Sequence, residues 1–538
     1  MDKKQFAELK GNAGKSWLHG YTIGFILLAI TAGHCRNVIA DIKLPVVISD
    51  NMVIQENAEI PIWGWASAGE QVTVSILSQK HTAYADANGQ WRVVLEPLTS
   101  KLPLEMKVQG KNTVTVQNIL TGEVWLASGQ SNMEWSLALS LNAEEEVKNA
   151  EYPAMRFFRV PSIPADELAA DCNGRWVVCT PKVAGGFSAV AYFFGRYLHK
   201  ELNRPVGMIE SPYGGTVIEA WMSDKSLRST PDYTAIMNRY NVDANKYKEF
   251  AARHRQKLEQ WQKGKNADIN DNKPIPPKPE MPIEETVLLR NYPSRLFNAM
   301  INPLIPYSIK GVIWYQGESN ALAGRSYQYI RLFPAMLDDW RNRWGYDFPF
   351  YSVQLTSFAN NAGQSDDSNN PDWAEFRDIQ LKMSLLKKSD MAVTVDVGEP
   401  NNIHPKNKQE VGRRLAIIAL AKTYGKNIVC SGPVYDSMEV SGEKILLAFK
   451  QADGGLVVKG KGLDEFMICG GDWKFVKAKA QITDSNHIMV YSEQVEKPIA
   501  VRYGWRRCPI NCNLYNAAGL PSSPFRTDNQ PYLSQNNE

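Results

Sequence analysis

The chain has 538 residues, 44% hydrophobic and 22% charged, with a formal net charge of +3. That balance is ordinary for a globular protein and the length suits two to four domains. Setting aside residues 1–40 removes five basic and two acidic residues, and the net charge becomes 0, which gives no electrostatic case for binding nucleic acid or anionic lipid.

Residues 1–40 read as a signal peptide. Lys3, Lys4, Lys10 and Lys15 precede an apolar run, Tyr21 to Ala32, which is shorter than the roughly 20 residues of a membrane span. Val38-Ile39-Ala40 offers small residues at the −3 and −1 positions of a cleavage site. Cleavage near Ala40, export to the periplasm or beyond, and no membrane span in the mature chain are expected. Cys35 follows His34, a poor fit to a lipoprotein signal. Of the cysteines that remain, Cys172/Cys179 and Cys508/Cys512 are close enough to pair in an exported chain. No second cysteine or histidine pair stands beside Cys508 and Cys512, so no metal is expected.

Residues 41–118 read as an N-terminal β domain. Ile60–Trp65, Val72–Ile76 and Trp91–Leu95 are rich in β-branched and aromatic residues and are spaced by turn signals, as in a small sandwich. Trp63, Trp65 and Trp91 read as core rather than as a sugar-stacking platform. From about Gly122 strands alternate with helices. The strand candidates are Val124–Ala127, Pro205–Glu210, Ser308–Trp314, Pro349–Leu355 and Met391–Val397. The helices are Ser188–Glu201, Tyr327–Trp344 and Lys408–Tyr424. Such alternation predicts a parallel sheet covered on both faces, with its functional loops at one edge. Residues 240–282 read as a helix and then a Pro/Lys-rich surface excursion. Residues 356–372 are a long polar loop, expected near the substrate mouth. From about Asn427 the chain returns to β character. The predicted domains are therefore 41–118, 119–426 and 427–538.

Residues 122–135, GEVWLASGQSNMEW, place a serine just after a buried strand. α/β hydrolases present a nucleophilic hydroxyl this way. A serine needs a base at neutral pH, and histidine is the usual one. Five histidines follow residue 40, and only His404 sits on a loop after a candidate parallel strand. Ser131 and His404 are therefore the candidate nucleophile and base. Donors for the developing oxyanion could come from the backbone at Ser131 and Gly214-Gly215, or from the amides of Gln316 or Asn320.

Four blocks in order, SGQSNMEW (128–135), YGGTVIEAW (213–221), GVIWYQGESN (311–320) and IHPKNKQEVGRRLA (403–416), together resemble the bacterial sialate O-acetylesterases. These belong to the SGNH hydrolase superfamily and are related to acetylxylan esterases. DNMVIQ (50–55) and NLYNAAGLPSSPFRTD (513–528) resemble that family's flanking β regions. The resemblance implies a flavodoxin-like α/β/α catalytic domain between two β domains, with no cofactor and no metal. It implies Ser131 as nucleophile, His404 as base, and Gly215 with Gln316, or alternatively Asn320, at the oxyanion. The implied substrate is an O-acetylated sialic acid. Acetylated xylan, or sugar binding by an inactive core, are the alternatives. One departure stands out. The family's triad aspartate lies three positions before the histidine, and here that residue is Asn401. The site then runs as a dyad oriented by a backbone carbonyl, or takes a carboxylate from Glu399 or Asp396, or is weakly active.

Overall fold

One strand, β7 (Thr113–Gly129), ties the molecule together in the computed structural model, which describes residues 41–270, 277, 279, 284–359 and 372–537. Its first half alternates polar and apolar side chains and is half-exposed, whereas Glu123–Gly129 is buried throughout. That change of pattern marks the passage from a one-sided antiparallel sheet to a two-sided parallel one. The first half pairs antiparallel with β6 (Leu104–Gln109), and β6 pairs with β3 (Gln71–Ile76), which pairs with β4 (Gln79–Tyr84). β1 (Val53–Gln55) pairs with the middle of β7, and β2 (Ile60–Trp65) forms a separate ribbon with β5 (Gln90–Leu95). The expected border at 118/119 thus falls inside one strand. Trp91 is buried in this region's core, whereas Trp63 and Trp65 are half-buried.

The second half of β7 is the centre of the main sheet. It lies between β10 (Val206–Pro212) and β11 (Gly311–Tyr315), parallel to both. β8 (Tyr152–Arg159) extends the sheet on one side, with β9 (Trp176–Cys179) antiparallel at its edge. β12 (Phe350–Val353) and β13 (Ser389–Ala392) extend it on the other. The connections reverse direction at β7, so the loops after β7, β10 and β11 leave the same carboxyl edge side by side.

Successive β7 residues face opposite cores. Trp125 and Ala127 pack with α2 (Ala189–Leu202) and α7 (Lys408–Lys422), whereas Val124 and Leu126 share a core with α5 (Tyr329–Trp344) and α6 (Asp372–Met383). Between β10 and β11 lie α3 (Tyr233–Asn270), longer than the helix expected there, and α4 (Glu284–Asn291). The Pro/Lys-rich excursion, most of the 356–372 loop and residues 1–40 lie outside the described residues. The expected strand Met391–Val397 ends at Ala392. Val395–Val397 instead forms a 3-10 turn, which sends Val395 into the core of the C-terminal β region. That region is antiparallel, built around strands such as Lys444–Lys450 and His487–Tyr491.

All six described cysteines are free thiols, so neither Cys172 and Cys179 nor Cys508 and Cys512, close enough in sequence to pair, are bonded. Burial pushes Cys172 and Cys179 up to about 12, which leaves them inert as nucleophiles near neutrality. Among the described residues, no helix is long and apolar enough to cross a membrane.

Candidate active site

β7 ends at Gly129, whose φ of 130° no other residue adopts easily and where a Cβ would stand 2.2 Å from the Tyr315 carbonyl oxygen. β11 can therefore lie tight against the turn that carries Ser131. Ser131 opens α1 (Ser131–Glu134), so its N–H has no intrahelical acceptor. The Ser131 Oγ lies 2.8 Å from His404 Nε2, although the two residues are 273 positions apart. The imidazole stacks on Trp135, with ring centroids 4.9 Å apart and planes 19° from parallel. Trp135 is itself anchored by its indole N–H to the Leu139 carbonyl.

The histidine loop is held by its neighbour Asn402. The Asn402 side-chain oxygen accepts from the His404 N–H, and its amide donates to the His404 carbonyl and to Glu399 Oε2. The other Glu399 oxygen accepts from the Lys406 N–H. Glu399 therefore braces the loop rather than the ring. Asp396 is taken by Arg414 and by the Tyr515 hydroxyl. Asn401 is exposed. Among the described residues no hydrogen bond reaches His404 Nδ1. Burial, with the charge of Lys408 adding to it, holds the His404 pKa below its ordinary value. The ring is then neutral at pH 7, as a base must be.

Beneath Ser131 lies a buried polar chain. Asn132 donates to Glu318 Oε1 at 2.6 Å and to the Ile403 carbonyl at 2.9 Å, and accepts from Lys408 Nζ. Lys408 is fully buried, and desolvation brings it down to about 7 against the pull of Glu318 and Glu399. Burial raises Glu318 in turn. These residues stand in three of the quoted blocks, yet nothing in their spacing showed that they meet.

The turn after β10 comes up beside Ser131. A Cβ on Gly214 would stand 3.2 Å from the Ser131 Cβ. The Gly214 N–H is taken by Glu134 Oε2 at 2.8 Å. Gly215 has φ 67°, in the left-handed region, and among the described residues its N–H has no acceptor. Gln316 and Asn320 are fully buried below this turn. The Gln316 amide donates to the Thr216 carbonyl and to Asn320 Oδ1, and its oxygen accepts from Tyr329. The Asn320 amide donates to Glu219, and its oxygen also receives the Ile218 N–H. The expected side-chain oxyanion donors are thus engaged inside the fold, where they shape the turn. Among the described residues the backbone N–H groups of Ser131 and Gly215 have no acceptor. Among the described residues no group of three or more His, Cys, Asp or Glu could hold a metal. A cleft of about 840 Å³ opens at the opposite edge of the sheet, around Pro61, Ser308 and Phe348, and carries none of these residues.

A family model described as carbohydrate esterase, sialic acid-specific acetylesterase, matches residues 251–421. A sialate O-acetylesterase from Rattus norvegicus is 30% identical over 94% of this chain and 97% of its own length. The chain belongs to the sialate O-acetylesterase family. It is thus of the carboxylic ester hydrolase class. The human sialate O-acetylesterase is 29% identical over 89% of this chain and 91% of its own length. A crystal structure of a carbohydrate acetylesterase from Xanthomonas citri, 35% identical, superposes with a TM-score of 0.77 and covers 91% of this chain and all of that one. The likeness extends over both β regions, so the whole architecture belongs to the family.

Proposed function

We propose that this protein removes O-acetyl groups from sialic acids by acyl transfer through Ser131 and His404. The 2.8 Å contact between Ser131 Oγ and His404 Nε2 carries the reading. His404 takes the Ser131 proton as the oxygen attacks the acetyl carbonyl. The oxyanion rests on the N–H groups of Ser131 and Gly215. His404 returns the proton to the leaving sugar hydroxyl, and water activated by His404 then releases acetate and restores Ser131.

The site works as a dyad. The ring plane is set by Trp135 stacking and by the two backbone bonds from Asn402, not by a carboxylate on Nδ1. The scaffold is read as the flavodoxin-like three-layer SGNH type, since helices cover both faces of the sheet and the nucleophile follows its central strand. Export after cleavage near Ala40 belongs to the same reading, supported by the lysines and the apolar run ahead of that residue. Acetate release from O-acetylated N-acetylneuraminic acid, with wild type and Ser131→Ala side by side, tests the proposal. Release by the wild type alone is expected, and a Ser131→Ala enzyme of full activity would overturn it.

A further inference from the structure

Arg290, near the end of α4, packs its guanidinium against the Gly214-Gly215 turn. A Cβ on Gly215 would stand 2.5 Å from its Nη2 and 3.0 Å from its Cζ. Its guanidinium sits 5.7 Å from the centre of the Tyr213 ring. The next residue ties the end of α4 to this turn: Asn291 accepts from the Val217 N–H at 2.9 Å and donates to the Gly215 carbonyl at 3.0 Å. Among the described residues Arg290 has no carboxylate partner, and its buried Nε makes no hydrogen bond. Nearby arginines are different. Arg239 is paired with Glu219, Arg295 with Asp166 and Arg331 with Asp232. The adjacent Glu134 carboxylate is turned to the Gly214 N–H.

A half-buried guanidinium without a counter-ion is costly. Here it rests against the same two-glycine turn that stands beside Ser131. A sialic acid carries both an acetyl ester and a carboxylate, whereas an acetylated neutral sugar carries only the ester. We infer that Arg290 is a specificity-determining residue that receives the carboxylate of the substrate, by paired N–H···O bonds of the kind a guanidinium makes to a planar anion. The inference rests on the sialate reading of the site and adds to it the group that selects an acidic sugar.

The test compares 9-O-acetyl-N-acetylneuraminic acid with its C1 methyl ester, which keeps the acetyl group and removes the negative charge. Wild type should favour the free acid in kcat/KM by roughly 10- to 100-fold, mostly through KM. Arg290→Met should bring that preference close to 1, and Arg290→Lys should retain part of it. An unchanged preference in Arg290→Met, no preference in the wild type, or an equal loss on both substrates would each overturn the inference. A second arm does not depend on turnover. N-acetylneuraminic acid and its methyl ester are titrated calorimetrically into Ser131→Ala and into Ser131→Ala/Arg290→Met. Binding of the acid that needs Arg290, with weak binding of the ester in both, supports the inference even if acetate release fails. Equal binding of the acid to both proteins, or no binding at all, overturns it.

Discussion

The two β regions are joined to the main sheet by different means. The N-terminal region shares a strand with it, since β7 pairs with β6 at one end and with β10 and β11 at the other. The C-terminal region is joined largely through side chains. Val395 enters its core, Tyr515 bonds Asp396, and Arg377 donates to the Arg506 and Arg507 carbonyls at 2.9 and 2.8 Å. The first joint carries Ser131 and the second supports the loop of His404. Ser131, the proposed nucleophile, is therefore placed mainly by backbone pairing, with Gly129 the position where an added side chain would disturb that placement. His404, the proposed base, is placed by a few polar contacts, each open to substitution.

Four substitutions separate the chemistry from these joints. Ser131→Ala touches neither joint and should lower kcat/KM for acetate release by about 10⁴ or more while leaving the melting temperature close to wild type. Asp396→Ala strikes the second joint. It leaves Arg414, 5% exposed, without its main partner, and breaking a buried pair costs about 3–5 kcal/mol. The urea midpoint should fall, and activity with it, since Asp396 lies eight residues before His404.

Lys408→Met removes a charge that acts on His404 and also frees Asn132 Oδ1 and Glu318 of their lysine partner. Lys408 is protonated below about 7, and its charge then opposes protonation of His404. Wild-type kcat/KM should hold down to a pH below 6.5 and fall as the lowered His404 pKa is crossed. Removing the lysine should move that acid limb upward, as a pH–rate profile would show. Glu399→Gln should cost least, a few-fold in kcat, because the side chain holds Asn402 and Lys406 rather than the ring. A loss near 10⁴ would instead make Glu399 a member of the triad.

Much of this was legible in the sequence, for physical reasons. A buried parallel strand is a short apolar run, so the strands before Ser131, Gly214 and Gln316 stood out, and loops that follow parallel strands share an edge. The single loop histidine in that set pointed to His404. Other features left no such trace. Ile119-Leu120 continues the apolar pattern across the expected border, and a strand serving two sheets looks like two strands. Gln316 and Asn320 carry amides suited to an oxyanion, and only the packing under Thr216 shows those amides already engaged. Glu399 sits five residues from His404, but chain proximity does not say which donors its oxygens meet. The stacking of Trp135 and the meeting of Lys408, Asn132 and Glu318 depend on contacts across hundreds of residues, which periodicity does not encode.

The 273-residue separation of Ser131 and His404 has a consequence in time. At about 5–20 residues per second, a ribosome adds His404 roughly 14–55 s after Ser131. Through that interval the growing chain holds the proposed nucleophile without its proposed base. Under the proposed mechanism, ester cleavage begins only once the last quarter of the chain has started to emerge, and a product terminated before His404 lacks its base.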